Sequence, residues 1–342
     1  MRILVAEARV PFARDGAELH AESLVRELRR RGHAVESVAL PFPVNKSALL
    51  GQAAAWRMLD LSSSNTRPVD LLIATRFPTW CARHPRKVVW LMHQHRAAYE
   101  LFGTPFSDFT STEDDSRLRQ QIAALDTRMF AECERIVTNA RNTANRLQRF
   151  NQIEARPLYH PPPAADRLHA GPYGDYVLTV ARLEPLKRIE LAIRAMSHVA
   201  APMRLVIVGD GSARAALERE ASHSPAAGRI EFRGAVWGDA VADLYAGARA
   251  VVYTPFDEDY GYVALEAFLS GKAVITAGDS GGPLEFVRDG INGFVCDANP
   301  IALATAIDTL AADRTLAARL GDAGLRVART ITWDGVIEQL LG

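Results

Sequence analysis

The chain reads as two consecutive doubly wound α/β domains. Three observations lead there. Short apolar runs alternate with amphipathic helical stretches along the whole sequence, a proline-rich break falls near the middle, and 342 residues exceed one typical domain while sufficing for two cores.

In the first half the expected strands are 2–5, 34–38, 71–74, 88–92 and 135–138, with helices at 17–31, 46–61, 117–132 and 141–150. Strands that alternate with helices imply βαβ units and a parallel sheet. The segment from Pro161-Pro162-Pro163 to Gly171-Pro172 can continue neither a helix nor a central strand. The expected division is therefore a first domain 1–163, a linker 164–174 and a second domain 175–342. There the alternation restarts, with strands at 176–180, 204–208, 230–232, 250–253 and 273–276. A helical stretch is expected after each, and 302–311, 316–328 and 333–341 close the chain. In such sheets ligands bind outside the carboxyl ends of the strands, so two of them would face each other across a ligand cleft.

Composition narrows the function. Lys+Arg and Asp+Glu are equal at 40 each, which argues against a protein that grips nucleic acid by neutralising phosphates. Arg29-Arg30-Arg31 reads as a solvated helix face. Cys81, Cys133 and Cys296 are far apart and suggest neither a zinc site nor a disulfide framework, so a reduced cytoplasmic compartment fits. The opening MRILVAEARV reads as a strand, not a leader, and no run approaches the roughly 20 apolar residues of a membrane span. Basic helices such as 141–150 leave contact with the inner face of a membrane open, with a solvated face as the simpler reading.

Four features cluster in the second half, each after an expected strand. Arg182 is followed five residues later by Lys187 near a helix start, two cations suited to a diphosphate. Alone they equally read as surface charges. Gly209-Asp210-Gly211 is a strand-to-helix turn that lets backbone approach a ligand, and also an ordinary turn. In FDEDYGYVALEAFLSGKAVI, seven residues separate Glu258 from Glu266. Asp259-Tyr260-Gly261 should turn, with a helix over 262–269 ending at Gly271. Glu258 then lies on the loop entering the helix and Glu266 about one turn inside. A carboxylate accepts two hydrogen bonds, as a vicinal diol requires, and the helix start offers N–H groups to phosphate. The plain alternative is one loop acid and one capping acid. Last comes Gly281-Gly282-Pro283, expected to turn and lead into a helix containing Glu285.

Over most of 176–295 this set resembles the retaining glycosyltransferases of family 4, with the GT-B fold of two Rossmann-like domains. The resemblance implies that Arg182 and Lys187 contact the diphosphate of a nucleotide sugar, that Glu258 contacts the donor sugar and that Glu266 contacts the ribose. It implies phosphate contacts from the backbone around Gly261, Tyr262 and Val263, a base near 234–237, with Val236 there, and a donor-binding place for Gly209. UDP is the preferred nucleotide, the acceptor is open, and no cofactor is expected beyond the substrate.

In the first half the resemblance is weaker. Arg14-Asp15-Gly16-Ala17-Glu18 keeps Gly16 at a helix start, but Asp15 stands where the family has its first glycine. His93, after the strand 88–92, resembles the family's cleft histidine near the donor sugar; a structural histidine reads as well. Neither His93 nor His95 makes a zinc site. The stretch 103–109 reads as a loop available to an acceptor. Asp257-Glu258-Asp259 is literally Asp-x-Asp, a metal-holding pattern in another glycosyltransferase fold. Arg182, Lys187 and the helix start already supply positive charge, so no metal is expected. Rival readings are a non-hydrolysing nucleotide-sugar epimerase, a phosphorylase and a non-catalytic nucleotide-sugar binding protein.

Overall fold

A computed structural model describes residues 1–12, 16–43 and 45–342. They form two compact units, Met1–Pro163 with Trp333–Gly342, and Ala164–Thr332.

The first unit runs β1 (Arg2–Arg9), α1 (Gly16–Arg30), β2 (Ala34–Pro41), α2 (Leu49–Met58), β3 (Ser63–Ser64), β4 (Arg67–Pro68), β5 (Leu71–Ala74), β6 (Lys87–Leu91), α3 (Glu113–Phe130), β7 (Arg135–Thr138), α4 (Arg141–Asn151) and β8 (Arg156–Pro157). Its parallel sheet has the order β2-β1-β5-β6-β7-β8, and β3 and β4 form a separate antiparallel pair. The sheet is covered on both faces, which is why Val88, Val89, Trp90 and Leu91 are all buried in one continuous apolar strand. Successive residues of β1 point to opposite faces. Ile3 and Val5 pack with Leu24 and Leu28 of α1, while Leu4 and Ala6 pack with Trp56 of α2 and Ile122 of α3. Beneath α1, His20 Nδ1 lies 3.0 Å from His160 Nε2 and its ring centroid 4.2 Å from that of Trp90. Burial lowers the His20 pKa to about 3 and holds His160 well below the ordinary value.

Two expected helices differ. Instead of 46–61, a single 3₁₀ turn at Lys46–Ala48 leads into the shorter α2, and the chain beyond turns through the β3–β4 pair. Helix α3 starts before 117 because the Thr112 hydroxyl caps it, accepting from the Asp115 N–H at 3.3 Å.

The second unit contains β9 (Tyr176–Val180), α5 (Ile189–Ala195), β10 (Arg204–Val208), α6 (Arg214–Ser222), β11 (Ile230–Gly234), α7 (Asp239–Gly247), β12 (Ala250–Val252), α8 (Tyr262–Leu269), β13 (Val274–Ala277), β14 (Gly293–Cys296), α9 (Pro300–Ala312) and α10 (Arg314–Arg329). All six strands are parallel in the order β11-β10-β9-β12-β13-β14. Counted from β9 this is the 3-2-1-4-5-6 order of dinucleotide-binding sheets, whose switch point lies between β9 and β12.

Three expectations about this half are corrected. The expected helix containing Glu285 is one 3₁₀ turn, Gly282–Glu285, and the chain then enters β14. Buried Asn292 closes that turn, donating to Phe286 O at 2.9 Å and accepting from the Arg288 N–H at 2.7 Å. Residues 164–174 are not a free tether but pack on this unit. Lys272 Nζ donates to Gly171 O and Pro172 O, and Tyr173 OH donates to Gly271 O. Finally, α11 (Trp333–Leu341) belongs to the first unit, not to a domain 175–342. Its apolar face, Val336, Ile337 and Leu340, completes the core that α1 builds on the first sheet. Arg135 donates to the carbonyls of Gln339 and Leu340 at its end. Among the described residues no helix is long and apolar enough to cross a membrane.

Candidate functional site

The carboxyl edge of the second sheet gathers the residues singled out there. Exposed Arg182 follows β9, held by buried Leu183, whose N–H donates to Asp210 O at 2.9 Å. A 3₁₀ turn, Pro185–Lys187, then brings the Lys187 ammonium onto Glu258 Oε2; both side chains are 16% exposed. They lie 71 positions apart in the chain and meet because β9 and β12 are neighbours at the switch point.

The loop after β12 is tied to the loop after β13. The Asp257 and Glu258 N–H groups donate to Asp279 O and Ser280 O, and Glu258 O accepts from Gly282 N–H, each at 2.8–2.9 Å. Buried Tyr253 adds a side-chain hydrogen bond to Glu258. Burial and then the Glu258 charge raise the tyrosine pKa well above its ordinary value.

Helix α8 starts immediately beyond. Its N-cap, Gly261, has φ +90, and an added Cβ would lie 2.8 Å from Pro283 Cγ, so glycine alone fits there. No side chain caps this end. Tyr262 and Val263 occupy the first turn, partly exposed. One turn on, Glu266 Oε2 accepts a 2.7 Å hydrogen bond from Tyr245 OH of α7. The residue keeps some exposure, yet its carboxylate lies deep enough that burial raises its pKa, against the lowering effect of the Tyr245 bond.

At the end of β10, Gly209 has φ +138, and a Cβ there would meet Ala181 O at 1.8 Å. Its N–H donates to Gly234 O at 2.8 Å, which places the loop holding Val236 beside the turn. Val236 is partly exposed and its neighbour Trp237 is 67% exposed.

The remaining candidates belong to the first unit. Gly16 is the first residue of α1, whereas Arg14 and Asp15 lie outside the described residues. The strand before His93 ends at Leu91, so Met92 intervenes. His93 is partly exposed, with Nδ1 2.7 Å from Gln94 O. His95 behaves as a structural histidine, its ring 5.7 Å from Phe77 and 6.0 Å from Phe109, its pKa lowered to about 4 by burial and then by His93. Among the described residues no group of three or more His, Cys, Asp or Glu is arranged to hold a metal ion.

Residues 171–327 match the family model described as Glycosyl transferases group 1. That match covers most of the second unit. Curated relatives include two D-inositol 3-phosphate glycosyltransferases. That of Salinispora tropica is 32% identical over 52% of this chain and 39% of its own length, and that of Acidothermus cellulolyticus 30% identical over 63% and 53%. The chain thus spans about half or less of the curated relatives it matches. Solved structures extend the likeness to both units. Sucrose-phosphate synthase from Thermosynechococcus elongatus superposes with a TM-score of 0.80 at 16% identity, covering 99% of this chain and 96% of that one. Anabaena HepE in complex with UDP and glucose gives 0.73 at 17%, covering 100% and 98%. The chain has the GT-B fold.

Around this edge of the second sheet, three side chains carried no sequence signal: Tyr245, Tyr253 and Arg188. The first two read as apolar-face tyrosines of a helix and a strand. Arg188 reads as one more surface cation after Lys187.

Proposed function

We propose that the protein is a retaining glycosyltransferase that moves a sugar from a nucleoside diphosphate sugar, UDP being preferred, to an acceptor hydroxyl. The observation that carries this reading is the pairing of Lys187 with Glu258 and of Tyr245 with Glu266 on either side of the α8 start, at the switch point of the sheet. The Lys187 ammonium has three N–H donors and can hold Glu258 and a phosphate oxygen together. Arg182, Lys187 and the first amides of α8 would stabilise charge growing on the leaving diphosphate. Glu258 would accept from donor-sugar hydroxyls and Glu266 from the ribose. The UDP complex of the structural neighbour HepE supports the nucleotide. His93 and Gly16 would serve the reaction from the first unit. In the step itself the acceptor oxygen bonds to the anomeric carbon on the face the diphosphate leaves, the carbon–oxygen bond to phosphate breaks, and a phosphate oxygen takes the acceptor proton. Configuration is retained and no metal takes part.

The test is incubation with UDP-, GDP- and ADP-sugars and an acceptor panel that includes D-inositol 3-phosphate, with products assigned by NMR. The expected product keeps the donor's anomeric configuration. Inversion, epimerised donor, phosphorolysis, or binding without turnover would each replace this reading with another.

A further inference from the structure

We infer that Arg188 is a positioning residue that fixes the Lys187–Glu258 pair for transfer, acting through the loops behind the site. The inference rests on the donor-site reading above.

Arg188 follows Lys187 and holds a left-handed backbone, φ 50 and ψ 42, a conformation an L side chain adopts at a cost. Its guanidinium satisfies three separate groups. Nε donates to Thr254 O at 2.8 Å and Nη2 to Pro255 O at 2.8 Å, on the segment leading to Glu258. Nη1 and Nη2 donate to the two carboxylate oxygens of Asp279 at 2.8 and 2.5 Å, on the segment leading to Gly281-Gly282-Pro283. Its central carbon lies over the Phe256 ring, 5.6 Å from the centroid. The side chain is 12% exposed.

One side chain therefore joins the loops after β9, β12 and β13. Backbone bonds run between the same segments: Phe256 N–H to Leu186 O at 2.8 Å, and Asp257 N–H to Asp279 O at 2.9 Å. Asp257 is also left-handed, with φ 43. Two unfavourable backbone conformations thus flank the pair, and the fork of Arg188 spans them. With four of its five N–H donors on Thr254, Pro255 and Asp279, the guanidinium chiefly serves these loops and leaves the diphosphate to its neighbour. Lysine cannot replace it, because an ammonium is a single point and cannot meet two carbonyls and both oxygens of a carboxylate in one plane.

The decisive variant is Arg188→Gly, since glycine accepts the left-handed backbone without cost and removes only the fork. Expected are a melting temperature near wild type, a Kd for UDP within about threefold of wild type, and a kcat lower by about thirtyfold or more. Arg188→Lys should recover little of the loss, and Asp279→Asn should fall between. Amide exchange in ligand-free protein reads the clamp directly. Segment 254–261 should exchange about tenfold faster in the glycine variant, with the rest of the unit unchanged. Wild-type kcat together with wild-type exchange would overturn the inference. So would a loss of kcat matched by an equal loss of UDP affinity and melting temperature, which is what a merely structural residue gives. Should the glycine variant fail to fold, Arg188→Lys carries the same comparison. Should wild-type protein neither bind UDP nor transfer, the donor-site reading fails, and the exchange rates alone decide for or against the clamp.

Discussion

The Tyr245 hydroxyl lies 2.7 Å from Glu266 Oε2, so a carboxylate proposed for ribose is gripped from behind by a tyrosine 21 positions earlier. Burial raises the Glu266 pKa, which means the folded state holds that proton more tightly than the unfolded chain. The resulting cost to stability is absent below the unfolded pKa and complete above the folded one. Glu266→Gln should therefore melt higher than wild type above the folded pKa and converge with it in acid, while binding UDP about tenfold more weakly. Thermal melts at several pH values, with calorimetry of UDP, check this; a variant less stable at every pH contradicts it.

The two glutamates should separate by ligand. Glu266→Ala weakens binding of the free nucleotide, whereas Glu258→Ala leaves it nearly intact and impairs transfer. Equal UDP affinities in the two variants would show the division of roles to be mistaken.

Arg182→Ala and Lys187→Ala should each slow transfer by on the order of a hundredfold or more, since each removes a charge aimed at the leaving group. Lys187→Ala also strips Glu258 of its ion-pair partner. Steady-state rates with intact secondary structure by circular dichroism make the comparison; near-normal rates in both variants remove the diphosphate clamp.

Transfer should survive excess EDTA. Two cations and the α8 start supply the positive charge a divalent ion would bring. Abolition by EDTA with rescue by Mg²⁺ or Mn²⁺ would instead assign Asp257 and Asp259 to metal binding. Modest stimulation by either ion would not, because cations also speed product release.

His20 sets a pH dependence in the first unit. Its folded pKa, about 3, lies below the ordinary 6.5, so the unfolded chain binds more protons between those values. Stability contributed by the neutral ring is present above about 6.5 and is lost as pH falls toward 3. His20→Asn places an amide near Nδ1 and should flatten that slope. Urea unfolding at pH 7 and pH 5 measures it, and an unchanged slope would point elsewhere.

Much of this was legible in the sequence for a physical reason. Buried parallel strands must be apolar on both faces, so runs such as YVLTV at 176–180 and RLVIV at 204–208 announce themselves. The spacing of Glu258 and Glu266 across a Gly-started helix is also local, and the structure brings both acids to the α8 start. What local pattern could not supply was the partner of each acid. Lys187 and Tyr253 meet Glu258, and Tyr245 meets Glu266, from separate elements of the unit; likewise Asp279, the partner of Arg188, lies 91 positions from it. Strand β14 was hidden because Gly290, Asn292 and Gly293 look like loop punctuation after a helical start. The apolar face of α11 was legible, but amphipathicity does not say which of two cores the face will join.

That last helix makes the first unit discontinuous in sequence. As the chain leaves the ribosome, Met1–Pro163 emerges before the second unit, yet its core lacks Val336, Ile337 and Leu340 until the whole of Ala164–Thr332 has followed. The unit begun before its neighbour is completed after it, and the apolar surface of α1 and the first sheet waits, uncovered, until α11 is made.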